Sequence, residues 1–207
     1  MLKAGITLYY IRHGETDWNR GQRYQGQRDI PLNATGRAQA KGNGQLLAAA
    51  LGDRAAQFDY VASPLQRASE TMQILRAEMG LDSRTYRTDD RLMEINYGSW
   101  EGQPWGDIAV RDAAGYAARQ ADVWNWRPQG GESYQMLAQR VGAWIAEVAS
   151  DTVVVAHGGV SRALRAVLFG LSAPEVMRLE VPQDKILVIE AGAMRWLQPH
   201  GETAAGA

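Results

Sequence analysis

Ile6-Thr7-Leu8-Tyr9-Tyr10-Ile11-Arg12-His13-Gly14-Glu15-Thr16 is the stretch whose reading decides the fold. Its first half is apolar, β-branched and aromatic, the length of a buried strand and too short for a helix. It stops at Arg12-His13-Gly14, which puts a permanent cation, a titratable ring and a permissive backbone at a strand's carboxyl end, where open α/β sheets place their sites. A second stretch repeats the pattern: Thr152-Val153-Val154-Val155-Ala156 runs straight into His157-Gly158-Gly159. Two such strands side by side in a parallel sheet bring both His-Gly turns to one place.

Outward from these two points, strands alternate with helices. Residues 16–32 are polar and longer than a plain connector needs, which predicts a functional loop. Thr35 reads as the N-cap of a helix over 36–51, and 60–62 as a strand. Ser63, Pro64 and Gln66 form a capping-box pattern opening a helix whose face is Leu65, Ala68, Met72, Leu75 and Met79. Further on, the patterns predict a strand at 84–88, helices at 107–123, 132–149 and 160–169, and a terminal hairpin of 185–190 and 194–197. The expected fold class is α/β, a three-layer α/β/α sandwich with a mostly parallel sheet. One domain is expected over 1–207, with a flexible tail from 199 that includes His200.

Composition narrows the function. A length of 207 residues, 45% hydrophobic and 22% charged, suits one medium domain. The net charge of -1 gives no general pull toward nucleic acid or membrane, so any anion site must be local. Cysteine is absent, which excludes disulfides, thiolate catalysis and Cys-ligated metal and fits a reducing compartment; a cytoplasmic location is expected. Neither a signal-peptide cleavage site nor an apolar run of ~20 residues is present. Lys occurs only at 3, 41 and 185, the other basic residues being Arg, and Arg12, Arg20, Arg23 and Arg28 crowd the segment after the first strand. Coding bias accounts for much of that excess, while a planar guanidinium also suits phosphate. Gly42-Asn43-Gly44 lacks the third glycine of a dinucleotide fingerprint and no P-loop occurs, so neither a dinucleotide nor ATP is expected as cofactor.

Five motifs occur in order: the Arg-His-Gly of 12–14, SPLQRASET at 63–71, LMEINYGSWEG at 92–102, GGES at 130–133 and VVVAHGGVSR at 153–162. Together they resemble the histidine phosphatase superfamily, also called phosphoglycerate mutase-like. The resemblance implies a phosphatase with His13 as nucleophile and Glu94 as proton donor. It places Arg12, Arg67, His157, Asn19, Gly26 and Gly158 around the phosphate, and offers Gln25 and Glu132 as further candidates. Glu132 reads equally as an acid that orients an Arg and as plain negative charge at a helix start. No cofactor and no metal are implied.

The chemistry asks for these residue types. A phosphate monoester is a dianion, which Arg12, Arg67, His157 and backbone N–H groups can hold with charge-assisted bonds. His13 must be neutral to attack phosphorus, with a backbone carbonyl fixing its tautomer. Glu94 then protonates the leaving alkoxide and activates the hydrolytic water. The same set permits other readings. A mutase would return the phosphoryl group to a second hydroxyl, although INYGSWEG looks like the phosphatase branch. His13, His157 and Glu94 could ligate zinc, yet two arginines beside them repel a cation. A catalytically silent binding module would be free to lose one of these residues, and none is lost. Trp100, Trp105, Trp124 and Trp126 read either as core or as a lid over the organic part of a substrate. The expected partner is a small phosphate monoester, not nucleic acid or a membrane, and no feature dictates an oligomeric state.

Overall fold

The computed structural model describes residues 2–199 and 201–204. Strand β1 (Leu8–Arg12) pairs in parallel with β4 (Thr152–Ala156), Leu8 opposite Thr152 and Arg12 opposite Ala156. On the far side of β4 lies β2 (Asp59–Ala62), also parallel, followed by the two-residue β3 (Arg87–Thr88). On the other flank β5 (Ile186–Glu190), β6 (Ala193–Gln198) and β7 (Gly201–Ala204) continue the sheet antiparallel, giving the order β3-β2-β4-β1-β5-β6-β7. The sheet is therefore mixed, with its parallel half carrying the ends of β1, β4 and β2. The segment expected to be a tail contributes β7, because its backbone completes the edge that β6 leaves open; His200 and 205–207 lie outside the described residues.

Central strands are buried on both faces, which is why they read as continuous apolar runs. Alternation then sorts their side chains. Tyr9, Ile11, Val153 and Val155 meet α2 (Ala34–Leu51) and α3 (Gln66–Glu78) through Leu47, Leu51, Ala68, Met72 and Leu75. Leu8, Tyr10, Val154 and Ala156 meet α6 (Tyr134–Glu147) and α7 (Gly158–Phe169) through Leu137, Val141, Trp144, Ala163 and Leu164. Each fully buried Leu or Ile contributes about 2 kcal/mol from removal of its apolar surface from water. The stripe at 137, 141, 144 and 148 is buried as its spacing predicts.

Helix starts differ from the local patterns where tertiary partners intervene. Asn33, not Thr35, caps α2: its Oδ1 accepts from Gly36 N at 2.9 Å, while its Nδ2 donates to Glu15 at 2.8 Å and ties the helix to the Arg-His-Gly loop. Ser63 does not cap α3, which begins at Gln66; Gln66 N donates to Asp29 Oδ1 at 2.7 Å instead. The helix expected over 107–123 is broken at Asp112, whose backbone is non-helical. This leaves α4 (Ile108–Arg111) and α5 (Ala113–Ala121). The short α1 (Asp17–Arg20) and α8 (Ala173–Arg178) each carry a capping box, Thr16 with Asn19 and Ser172 with Glu175. No helix among the described residues is long and apolar enough to cross a membrane.

Candidate active site

The register of the parallel strands builds the site. His13 N continues the ladder to Ala156 O at 2.9 Å and Ser63 N to Val155 O at 3.0 Å, so the residues after β1, β4 and β2 stand in a row. The His13 and His157 rings lie 5.1 Å apart between centroids. Beside them opens a cavity of about 610 Å³ lined by Arg12, His13, Asn19, Gln25, Gly26, Arg67, Glu94 and Gly158, among others. Of the candidates, His157 is fully buried next to His13 behind that lining, and Glu132 is not part of it.

His13 is held in one tautomer. Its Nδ1 is 2.7 Å from Gly14 O, and Arg67 Nε donates to its Nε2 at 3.2 Å. A carbonyl can only accept and a guanidinium can only donate, so Nδ1 carries the proton and Nε2 the lone pair. Burial first, and then the charges of Arg67 and Arg12, hold this ring's pKa well below the ordinary 6.5. Burial and Arg67 do the same to His157. Both rings are neutral at neutral pH.

Arg67, fully buried in the first turn of α3, is positioned by carbonyls: Nη1 donates to Arg28 O at 2.7 Å and Nη2 to Gly26 O at 2.8 Å. Burial lowers its pKa to about 10, which leaves it charged. Gly26 adopts φ +53°, and a Cβ there would collide with the Glu101 carboxylate, so the loop needs glycine to present this carbonyl. Arg12 donates Nη1 to Val181 O at 2.7 Å, and among the described residues its buried Nε has no partner, nor has His157 Nδ1. Buried orphan donors are uncommon, and the Arg12 Nε–H in the wall of this cavity marks a place suited to an anion.

Glu94 is fixed by backbone donors, Ile95 N at 2.9 Å and Gly159 N at 3.0 and 3.2 Å. The Gly159 N–H at the start of α7 is thus taken by Glu94, while Gly158 lines the cavity. A Cβ on Gly159 would overlap the Glu94 carboxylate. Glu132 stands further back, pairing with Arg140 at 2.9 Å, and Arg140 in turn donates to the carbonyls of Arg91 and Glu94 at 2.7 and 3.1 Å. Glu132 therefore orients an arginine that pins the backbone of Glu94. Asn19 Oδ1 accepts from Thr16 N at 3.1 Å and Gln183 Nε2 at 3.2 Å, and its amide N–H groups find no acceptor among the described residues. Gln25 accepts from Thr16 Oγ1 at 2.8 Å.

Sequence reading missed several supports. Ser63 Oγ lies 2.7 Å from His157 Nε2, Thr71 Oγ1 accepts from Gly14 N at 3.1 Å, and Tyr10 donates its hydroxyl to His157 O at 2.6 Å. Gln183, far along the chain, donates to His13 O at 2.9 Å. Among the four tryptophans, Trp105 lines the cavity, whereas Trp100 is buried, packs on Trp126 and donates to Asp112 at 2.8 Å. No group of three or more His, Asp or Glu among the described residues is arranged to hold a metal ion.

Fold and cavity together define an α/β enzyme of the histidine phosphatase type. The chain matches the Histidine phosphatase superfamily (branch 1) over residues 8–199. It is 38% identical over 177 residues to a glucosyl-3-phosphoglycerate phosphatase of Mycobacterium tuberculosis, covering 79% of this chain and 75% of that one. It is 35% identical over 188 residues to a 2,3-bisphosphoglycerate-dependent phosphoglycerate mutase of Mesorhizobium japonicum, covering 84% and 87%. The solved structure of a mycobacterial glucosyl-3-phosphoglycerate phosphatase in complex with VO3 superposes with a TM-score of 0.77 at 31% identity, covering 98% of this chain and 100% of that one. The protein belongs to the histidine phosphatase superfamily.

Proposed function

We propose that the protein hydrolyses phosphomonoesters of small metabolites through a phosphohistidine formed on His13. One observation carries the reading: an unprotonated His13 Nε2, its tautomer set by Gly14 O and Arg67, in a cavity that Arg12 and Arg67 also line. Arg12 and Arg67 hold the phosphoryl oxygens, assisted by Asn19, the Gly158 backbone and the neutral His157. Arg67 Nε leaves the lone pair of Nε2 for a phosphoryl oxygen as the ester enters. Nε2 then attacks phosphorus, the ester P–O bond breaks, and Glu94 gives its proton to the departing alkoxide. Water next attacks the phosphohistidine, the N–P bond breaks, Glu94 takes back a proton and inorganic phosphate leaves.

This chemistry needs neither metal nor cofactor, since the charge that steadies the transferring group comes from guanidinium groups. The absence of cysteine supports a cytoplasmic place of work. The phosphoglycerate mutase relative favours one further reading, return of the phosphoryl group to another hydroxyl. The test is phosphate release from a panel of phosphomonoesters before and after exhaustive EDTA treatment. The expected result is release that chelation does not change and that vanadate suppresses. Loss on chelation restored by zinc would contradict it, as would a positional isomer formed in place of inorganic phosphate.

A further inference from the structure

The segment between α8 and β5 carries no motif, yet it grips the site at several points. Three successive carbonyls each accept from an arginine: Leu179 O from Arg162 at 3.2 Å, Glu180 O from Arg165 at 2.8 Å and Val181 O from Arg12 at 2.7 Å. Val181 precedes Pro182, which disfavours helical backbone at that residue and favours an extended course. Gln183 follows, and its own carbonyl accepts from Asn43 Nδ2 at 2.9 Å. Asn43 is buried in α2, where an unpaired amide N–H is costly, so this bond anchors the segment to the helix.

Gln183 spends its amide on the site. Its Nε2 donates both to His13 O at 2.9 Å and to Asn19 Oδ1 at 3.2 Å, so a single NH2 group bridges the backbone of His13 and the side chain of Asn19. A carbonyl only accepts, which puts the nitrogen of Gln183, not its oxygen, at this point. Asn19 in turn must present its oxygen here, as it also does to Thr16 N at 3.1 Å, and its N–H groups stand on the other arm of the amide. Asn19 lines the cavity and Gln183 does not. The capping box of Thr16 and Asn19 fixes the asparagine within α1, but α1 is four residues long and buries none of them. Directed bonds therefore set where Asn19 stands relative to His13, and the Gln183 amide joins the two directly.

We propose that Gln183 is a positioning residue for phosphoryl transfer: it clamps Asn19 to the backbone of His13 and so aims the Asn19 N–H groups at the phosphoryl group that His13 attacks. The proposal rests on the phosphatase reading and adds a residue that acts through Asn19 without touching the substrate. The test is a double-mutant cycle of Gln183→Met, which keeps the length of the side chain and loses both N–H groups, with Asn19→Ala. Its readout is the vanadate inhibition constant of p-nitrophenyl phosphate hydrolysis. Asn19→Ala should weaken vanadate about tenfold, the size of a hydrogen bond to a charged group, and Gln183→Met about fivefold. The double variant should be no more than about twofold weaker than Asn19→Ala alone. In 15N spectra the Asn19 side-chain amide should shift when vanadate binds the wild type, and shift less in Gln183→Met. Penalties that multiply to about fiftyfold, or a Gln183→Met that binds vanadate as the wild type does, would overturn the clamp. So would an Asn19 amide that vanadate leaves unmoved in the wild type, a result that stands whether or not Gln183→Met folds. In each of these cases the wild type still hydrolyses the ester. A wild type that neither hydrolyses it nor binds vanadate overturns the phosphatase reading beneath.

Discussion

Arg67 Nε donates to His13 Nε2 across 3.2 Å, and this contact fixes which nitrogen of His13 is bare. The same guanidinium that holds down the ring's pKa marks the position its nucleophilic lone pair points to. One residue in the first turn of α3 thus acts on both charge and tautomer, beside burial and the Gly14 carbonyl.

Ser63 orients the His157 ring. Its hydroxyl is 2.7 Å from Nε2, and the ring's other nitrogen has no partner among the described residues. Ser63→Ala should leave a buried nitrogen unsatisfied, costing about 1–3 kcal/mol of stability in urea unfolding. It should also weaken vanadate inhibition about tenfold, because His157 loses its orientation. An unchanged inhibition constant would show that Ser63 acts in folding only.

Glu94→Gln keeps the bonds from Ile95 N and Gly159 N but cannot donate a proton. Its penalty should follow the leaving group: roughly 10²-fold in single-turnover phosphorylation by alkyl phosphates, within the usual reach of general acid catalysis, and much less with p-nitrophenyl phosphate. Equal penalties for alkyl and aryl esters would mean that Glu94 acts through charge or structure and that the donor is another carboxylate.

Stability should fall in mild acid. Burial depresses the pKa of His13 and His157 in the folded state, so below the ordinary value of 6.5 the unfolded chain takes up protons that the folded chain refuses. Their contribution is therefore intact above about pH 6.5 and is lost as pH falls from there toward the folded values. Urea midpoints measured at pH 7.5 and 5.5 should show the drop, and His157→Gln should shrink it. The same drop in that variant would place its origin elsewhere.

The parts of this site that could be read from sequence are those where local pattern and sheet topology agree. Two apolar strands each ending in His-Gly announced a shared strand end, and Arg67 followed from a motif that sits at a helix start. The capping pattern at Ser63 misled because a tertiary partner, His157, claims the hydroxyl, and Asp29 from the preceding loop meets the helix start instead. The break at Asp112 was hidden for a similar reason, since its carboxylate both receives Trp100 Nε1 at 2.8 Å and caps α5 through Gly115 N at 2.9 Å. The capping box at Ser172 and Glu175 was visible in the sequence and still overlooked. Gln183 carries no motif, and only the antiparallel docking of β5 on β1 brings it to the nucleophile.

The central claim is that His13 becomes phosphorylated, and rapid quenching with a 32P-labelled ester tests it most directly. The account predicts an acid-labile, base-stable label on the wild-type chain that forms within the first turnover and maps to the peptide containing His13. It predicts none on His13→Ala, with that variant still folded by circular dichroism and its turnover reduced by several orders of magnitude. Label at another residue, or near-normal hydrolysis by His13→Ala, would contradict the account.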